Sequence, residues 1–158
     1  MPRLILMRHA KSDWAPGGPD HDRPLNARGI RSARALGDWL RGRGIIPDSA
    51  LVSTARRTRE TWGLLGFDTA ARFVGALYDA ESGDLMEALR SAQGDTVLLL
   101  GHNPAICAAA HDLVATRPAH ARFDDYPTGA TLIADFDAPW NAIEPGTGRA
   151  RDFVVPRE

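Results

Sequence analysis

The stretch "LILMRHAKS" (residues 4–12) decides how the rest of the chain is read. Four large apolar residues follow one another without a polar interruption, the pattern of a short strand covered on both faces. The run then stops at Arg8 and His9. A buried strand has no use for two such side chains, so their position at its end raises the question of what else meets them there.

Working outward, strand and helix signals alternate. Asn26 is placed to cap a helix in which Ile30, Ala33, Leu36, Gly37 and Leu40 share one face, with Gly44 as its stop. "ALVS" (50–53) reads as a second strand, followed by a helix carrying Leu64 and Leu65, and residues 72–78 read as a third strand. Ser82 is a candidate cap for a helix with Leu85, Met86 and Leu89 facing inward. "TVLLL" (96–100) is the clearest buried strand, after which Asn103 caps and Pro104 opens a further helix. Residues 131–137 and 151–155 are late strands with no helix between them, expected at a mixed edge of the sheet. Two stretches read as loops, 12–24 and 139–151; the first is long for a compact domain and rich in proline and glycine. The alternation predicts an α/β fold: a three-layer sandwich with a mostly parallel central sheet flanked by helices.

The whole chain bounds the function. Its 158 residues are expected to form one domain, 1–158, with a sizeable core. The formal net charge of -1 argues against a general nucleic-acid or membrane-surface binder. No apolar run is long enough to span a bilayer, and the N-terminus lacks the pattern of a secretory signal. The single cysteine, Cys107, has no partner for an internal disulfide and reads as a small core residue, which fits a cytoplasmic protein. Lys11 is the only lysine among 19 basic residues, so the arginines must be judged by position.

In an open α/β sheet, ligands bind at the carboxyl ends of the parallel strands. Arg8 and His9 leave the first strand there, His102 leaves the "TVLLL" strand, and Ser53 ends the second strand ahead of Arg57 on the next helix. Arginine forks match phosphate oxygens, and helix N-termini add free N–H groups. A histidine between two arginines is expected to stay neutral through like-charge repulsion, which leaves a ring nitrogen as a nucleophile toward phosphorus. The second histidine would hydrogen-bond the phosphoryl group in flight. Two histidines in one crevice could instead bind zinc, but the arginines would repel a cation, so no metal or other cofactor is expected. His21, His111 and His120 read as surface residues, and Trp14 and Trp39 as packing residues, with Trp14 at the pocket mouth.

"LMRHAKS", "PLNARGIRSARALGDWL", "STARRTRET" and "LLGHNP", in this order, resemble the histidine phosphatase superfamily, the phosphoglycerate mutase-like proteins. The resemblance covers most of the chain. It implies that His9 is the phosphorylated nucleophile, that Arg8 and Arg57 bind phosphate, that His102 is the second histidine and that Asn103 lends its backbone N–H. Arg56 and Arg59 do not fall on the family's arginine position. The chain has no room for a lid insertion and is most similar to the short phosphohistidine phosphatase branch (SixA-like), as is the stretch ending "DHDRPLNARG". Ala15, Thr54 and Glu60 depart from patterns frequent in the family. For the general acid the resemblance points to Asp79, four residues before Gly83, with Asp20, Asp22 and Glu81 as alternatives, or no acid at all. The implied substrate is a phosphorylated protein or a small phosphorylated molecule. The expected activity is that of a phosphatase, with a small-molecule phosphomonoesterase or a non-catalytic phosphate-binding module as the competing readings.

Overall fold

In the computed structural model, which describes residues 1–156, the opening run forms β1 (Arg3–Arg8). Its side chains alternate between two apolar layers: Leu4 and Leu6 enter one, Ile5 and Met7 the other. All four have 0% exposure. Fully burying a large aliphatic side chain stabilises by about 1.5–3 kcal/mol, so this strand is anchored on both faces.

The chain continues through α1 (Ala27–Gly42), β2 (Ser49–Ser53), α2 (Arg56–Leu65), β3 (Ala71–Val74), α3 (Ser82–Arg90), β4 (Thr96–Gly101), α4 (Ala105–Leu113), β5 (Thr131–Asp135) and β6 (Arg149–Val154). The six strands form one sheet in the order β3-β2-β4-β1-β5-β6. The first four positions of that order run parallel, and β5 is antiparallel to both of its neighbours. Helices α1 and α2 cover one face through Leu36, Leu40, Trp62 and Leu65. Helices α3 and α4 cover the other through Leu85, Leu89, Ile106 and Ala109. The result is the expected three-layer sandwich with late strands at a mixed edge. Among the described residues, no helix is long and apolar enough to cross a membrane.

Two glycines of α1 let backbones touch. A Cβ on Gly37 would lie 2.1 Å from the Leu65 carbonyl oxygen, so α1 and α2 meet without side chains between them. A Cβ on Gly29 would lie 2.0 Å from the Lys11 carbonyl oxygen. The start of α1 therefore abuts the segment just beyond His9 and helps fix it.

Several boundaries differ from the expectations. Residues 72–78 are not all strand: β3 ends at Val74, opposite Ser53, because β2 ends there and offers no further partner. The chain then turns through a short 3-10 segment, Gly75–Leu77. Asn26 caps α1 as expected, its Oδ1 accepting from the Gly29 N–H at 2.9 Å. The cap of α3 is Glu81 rather than Ser82, and the Asp84 carboxylate accepts from the Glu81 backbone N–H at 2.9 Å. Helix α4 starts at Ala105 with Pro104 at its cap position, while Asn103 reaches in from one residue further out to accept from the Cys107 N–H at 3.2 Å. Strand β5 stops at Asp135, short of 137, and β6 begins at Arg149, inside the stretch read as loop.

Candidate active site

Strands β2, β4 and β1 are neighbours, and their carboxyl ends lie side by side. Arg8 stands opposite Gly101, and Val52 opposite Leu100. The His9 N–H donates to the Gly101 carbonyl at 3.0 Å. His9 and His102 therefore leave adjacent strands together, with ring centroids 5.3 Å apart. A third link comes from α2: Thr61 Oγ1 accepts from the Ala10 N–H at 3.1 Å and donates to the Arg57 carbonyl at 2.7 Å.

His9 is almost fully buried. Its Nδ1 lies 2.6 Å from the Ala10 carbonyl oxygen. A carbonyl can only accept, so Nδ1 carries the proton and Nε2 keeps its lone pair. Burial pushes the ring pKa down to about 3, with His102, Arg8 and Arg57 adding to the effect. The neutrality expected from the arginines is present, but desolvation is its larger cause. His102 is also neutral near pH 7, its pKa lowered to about 4 by burial and then by Arg57. Its Nε2 lies 2.7 Å from Ser53 Oγ.

The two arginines flank this pair. Arg8 Nη1 donates to the Tyr126 carbonyl at 3.3 Å. Burial and the nearby Arg57 lower the Arg8 pKa from its ordinary value. Arg57 is 6% exposed. Among the described residues, three buried side-chain nitrogens have no partner: Arg8 Nε, Arg57 Nε and His102 Nδ1. Buried donors are seldom left unpaired, and these three belong to the residues that the sequence marked for one anion. Arg56 and Arg59 turn away, to Glu60 Oε2 and to the Thr54 carbonyl.

The acid candidates separate. Asp79 is exposed and lines a cavity of about 250 Å³ together with His102 and Asn103. Glu81 is occupied as a helix cap. Asp22 is exposed within the short turn 20–22. Asp20 does something the sequence did not suggest: it sits on Arg57. Arg57 Nη1 donates to the Asp20 carbonyl at 2.9 Å and Nη2 to its Oδ2 at 3.1 Å. Tyr78 OH donates to the same Oδ2 at 2.5 Å, and Arg23 Nη2 pairs with Oδ1 at 3.1 Å. Tyr78 first, then the arginines, hold this carboxyl well below the usual carboxylate range. It is an anion here rather than a proton donor.

Asn103 Nδ2 donates to the Tyr126 carbonyl at 2.9 Å, so one carbonyl positions both Asn103 and Arg8. Tyr126 has φ +45, a region that non-glycine residues seldom occupy. It is held there by burial and by its hydroxyl, which donates to Leu6 O at 2.6 Å and accepts from the Leu132 N–H at 3.1 Å. An isolated tyrosine in "FDDYPTG" carries no sequence signal for that role. His21 is not a simple surface residue: its ring nitrogen Nε2 bonds Thr54 Oγ1 at 2.9 Å and its ring stands edge-on to Tyr78. His111 and His120 are half-buried, packed on Phe123 and Phe153. Cys107 is half-buried against the core, and Trp14 is exposed with the Arg23 guanidinium 3.5 Å above its ring. An open cleft of about 610 Å³ beside His9 is lined by Arg8, Lys11, Trp14, Arg23 and Arg122 among others.

The family model of the histidine phosphatase superfamily (branch 1) matches residues 4–75. The uncharacterized protein Rv1276c of Mycobacterium tuberculosis (strain ATCC 25618 / H37Rv) is 38% identical over 159 residues, covering 96% of this chain and 100% of that protein. The candidate phosphohistidine phosphatase SixA of Nakamurella multipartitia has a similar structure, with a TM-score of 0.88 and 29% identity, over 98% of this chain and 96% of that one. The candidate phosphohistidine phosphatase SixA of Agrobacterium tumefaciens superposes with a TM-score of 0.82 at 30% identity, over 99% of both chains. The sheet order, the paired histidines at adjacent strand ends, the family match over residues 4–75 and the relatives' matches along nearly the whole chain lead to one conclusion: the chain belongs to the histidine phosphatase superfamily.

Proposed function

We propose that this protein is a phosphatase that works through a covalent phosphohistidine on His9, and that its substrate is a phosphohistidine on another protein. The observation that carries the reading is the state of His9. Its Nδ1–H is tied to Ala10 O, so a neutral ring presents the Nε2 lone pair beside three buried nitrogens without partners.

The chemistry follows from those groups. Arg8, Arg57 and His102 bind the phosphoryl oxygens and hold phosphorus in line with Nε2. The Nε2–P bond forms as the bond from phosphorus to the leaving atom breaks, and the leaving group takes up a proton. Water then attacks phosphorus, the Nε2–P bond breaks, and inorganic phosphate leaves with His9 neutral again. Asp79, which shares a cavity with His102, is the proton donor for poor leaving groups. A phosphohistidine substrate needs less help, because a protonated imidazole is a far better leaving group than an alkoxide. The open cleft beside His9 gives a side chain carried on another protein a way in. The likeness to candidate phosphohistidine phosphatases supports the same choice.

The test is a parallel assay of phosphohistidine-bearing proteins, an aryl phosphate and common alkyl phosphates. Fastest turnover of the phosphohistidine proteins supports the proposal. Turnover of small esters alone would replace it with a small-molecule phosphomonoesterase. Phosphate binding without any turnover would make the protein a binding module.

A further inference from the structure

His102 is neutral, so only one of its ring nitrogens carries a proton, and the function proposed above needs that proton on the nitrogen facing the phosphoryl group. Ser53 is the only group among the described residues that hydrogen-bonds the ring, through Nε2 at 2.7 Å. The question is which of the two atoms donates.

The surroundings of Ser53 answer it. Ser53 is 0% exposed. Its Oγ already accepts from the Ala55 N–H at 3.3 Å, and a backbone N–H can only donate. The Ser53 hydroxyl proton must go to an acceptor, because a buried O–H left unpaired costs about 1–3 kcal/mol. Among the described residues, the one acceptor bonded to Oγ is His102 Nε2. If Nε2 were the protonated nitrogen, Oγ would accept twice and its own proton would have nowhere to go. Nε2 therefore accepts, and the ring proton sits on Nδ1, the atom that is buried without a partner. The charges around the ring are Arg57, Arg8 and Arg23, which disfavour a second proton, and Asp20, which favours one.

We infer that Ser53 is a positioning residue that sets the tautomer of His102, presenting Nδ1–H to the transferring phosphoryl group. The two histidines then share one cradle in matched roles. His9 turns its protonated nitrogen inward to Ala10 and offers a lone pair, while His102 turns its bare nitrogen to Ser53 and offers a proton. The assignment rests on the phosphatase reading for its purpose but not for its structural content.

The test uses the full chain with ¹⁵N-labelled histidine, without substrate, near pH 7. Long-range ¹H–¹⁵N correlation spectra distinguish the two neutral tautomers, and His102→Ala identifies the resonance. A protonated Nδ1 and bare Nε2 on His102 is the expected result; a protonated Nε2 would overturn the inference. In Ser53→Ala, with folding checked by circular dichroism, His102 should become a mixture of tautomers. Its kcat should fall roughly 10-fold with little change in KM, less than the roughly 100-fold expected for removing the donor itself. Adding Ser53→Ala to His102→Ala should produce no further loss of turnover. Full additivity, or an unchanged His102 tautomer in Ser53→Ala, would also overturn it. The expected tautomer in a protein that hydrolyses no phosphorylated substrate would uphold the Ser53 assignment while removing the phosphatase reading.

Discussion

Asp20→Asn should tighten the binding of phosphate-like anions. Arg57 offers its two Nη groups to the carbonyl and carboxylate of Asp20, at 2.9 and 3.1 Å, and keeps only Nε without a partner. A phosphate seated on the Arg57 fork must therefore share it with a carboxylate or displace one. Two unit charges about 5 Å apart repel by about 1 kcal/mol in water and about 3 kcal/mol at an effective dielectric constant near 20. The Asp20 side chain is 47% exposed, which places the repulsion toward the lower end, about 1–2 kcal/mol. At about 1.4 kcal/mol per tenfold, the inhibition constant for orthovanadate or inorganic phosphate should fall roughly 5- to 30-fold. The substitution leaves the backbone carbonyl of Asp20 on Arg57 Nη1, so the guanidinium keeps one of its anchors. The gain should shrink at high ionic strength, as a partly exposed charge pair requires. Competitive inhibition measured for the parent and the variant at two salt concentrations is sufficient. An unchanged or weaker inhibition constant would refute the view of Asp20 as a competitor for the phosphate position.

Other outcomes follow from the same structure. The pKa values of His9 and His102 lie near 3 and 4 in the fold, against about 6.5 in the unfolded chain. The unfolded state therefore binds more protons between those limits. Stability measured by chemical denaturation should be intact above about pH 6.5 and fall progressively toward pH 4; a stability independent of pH over that window would contradict the buried, neutral pair. Gly37→Ala drives a Cβ to 2.1 Å from the Leu65 carbonyl oxygen and should cost about 2 kcal/mol or more in the same assay; a neutral effect would mean that α1 and α2 are free to separate. Asp79→Asn should slow an alkyl phosphate much more than an aryl phosphate or a phosphohistidine, and equal slowing of all three would show that Asp79 is not the donor.

What the sequence made visible was whatever local pattern controls. A continuous apolar run reports burial on both faces, so β1 and β4 could be placed, and their ends brought Arg8, His9 and His102 together. Asn26 announced its helix because its side chain bonds a backbone group three residues away. Contacts between distant segments left no such trace. Asp20 meets Arg57 and Tyr78 across 37 and 58 residues, and Ser53 meets His102 across 49. The Asp20 contacts depend on how the loop at 12–24 lies against the strand ends, and the Ser53 contact on β2 pairing with β4 in the sheet, neither of which periodicity encodes. The same holds for Tyr126, whose backbone is held by a hydroxyl bonded to β1. At the start of α3 two neighbouring residues competed for one cap, and the reciprocal bond between Glu81 and Asp84 outweighed the usual preference for serine.

The central claim is that His9 Nε2 takes the phosphoryl group, and trapping that bond tests it most directly. Rapid quench of the protein with a substrate radiolabelled in its phosphoryl group, followed by mapping of the label, should place it on His9. The adduct should be labile in acid and stable in alkali, as a phosphohistidine is and a phosphoserine is not. His9→Ala should trap nothing and turn over no substrate. Label on any other residue, or full activity in His9→Ala, would contradict the account.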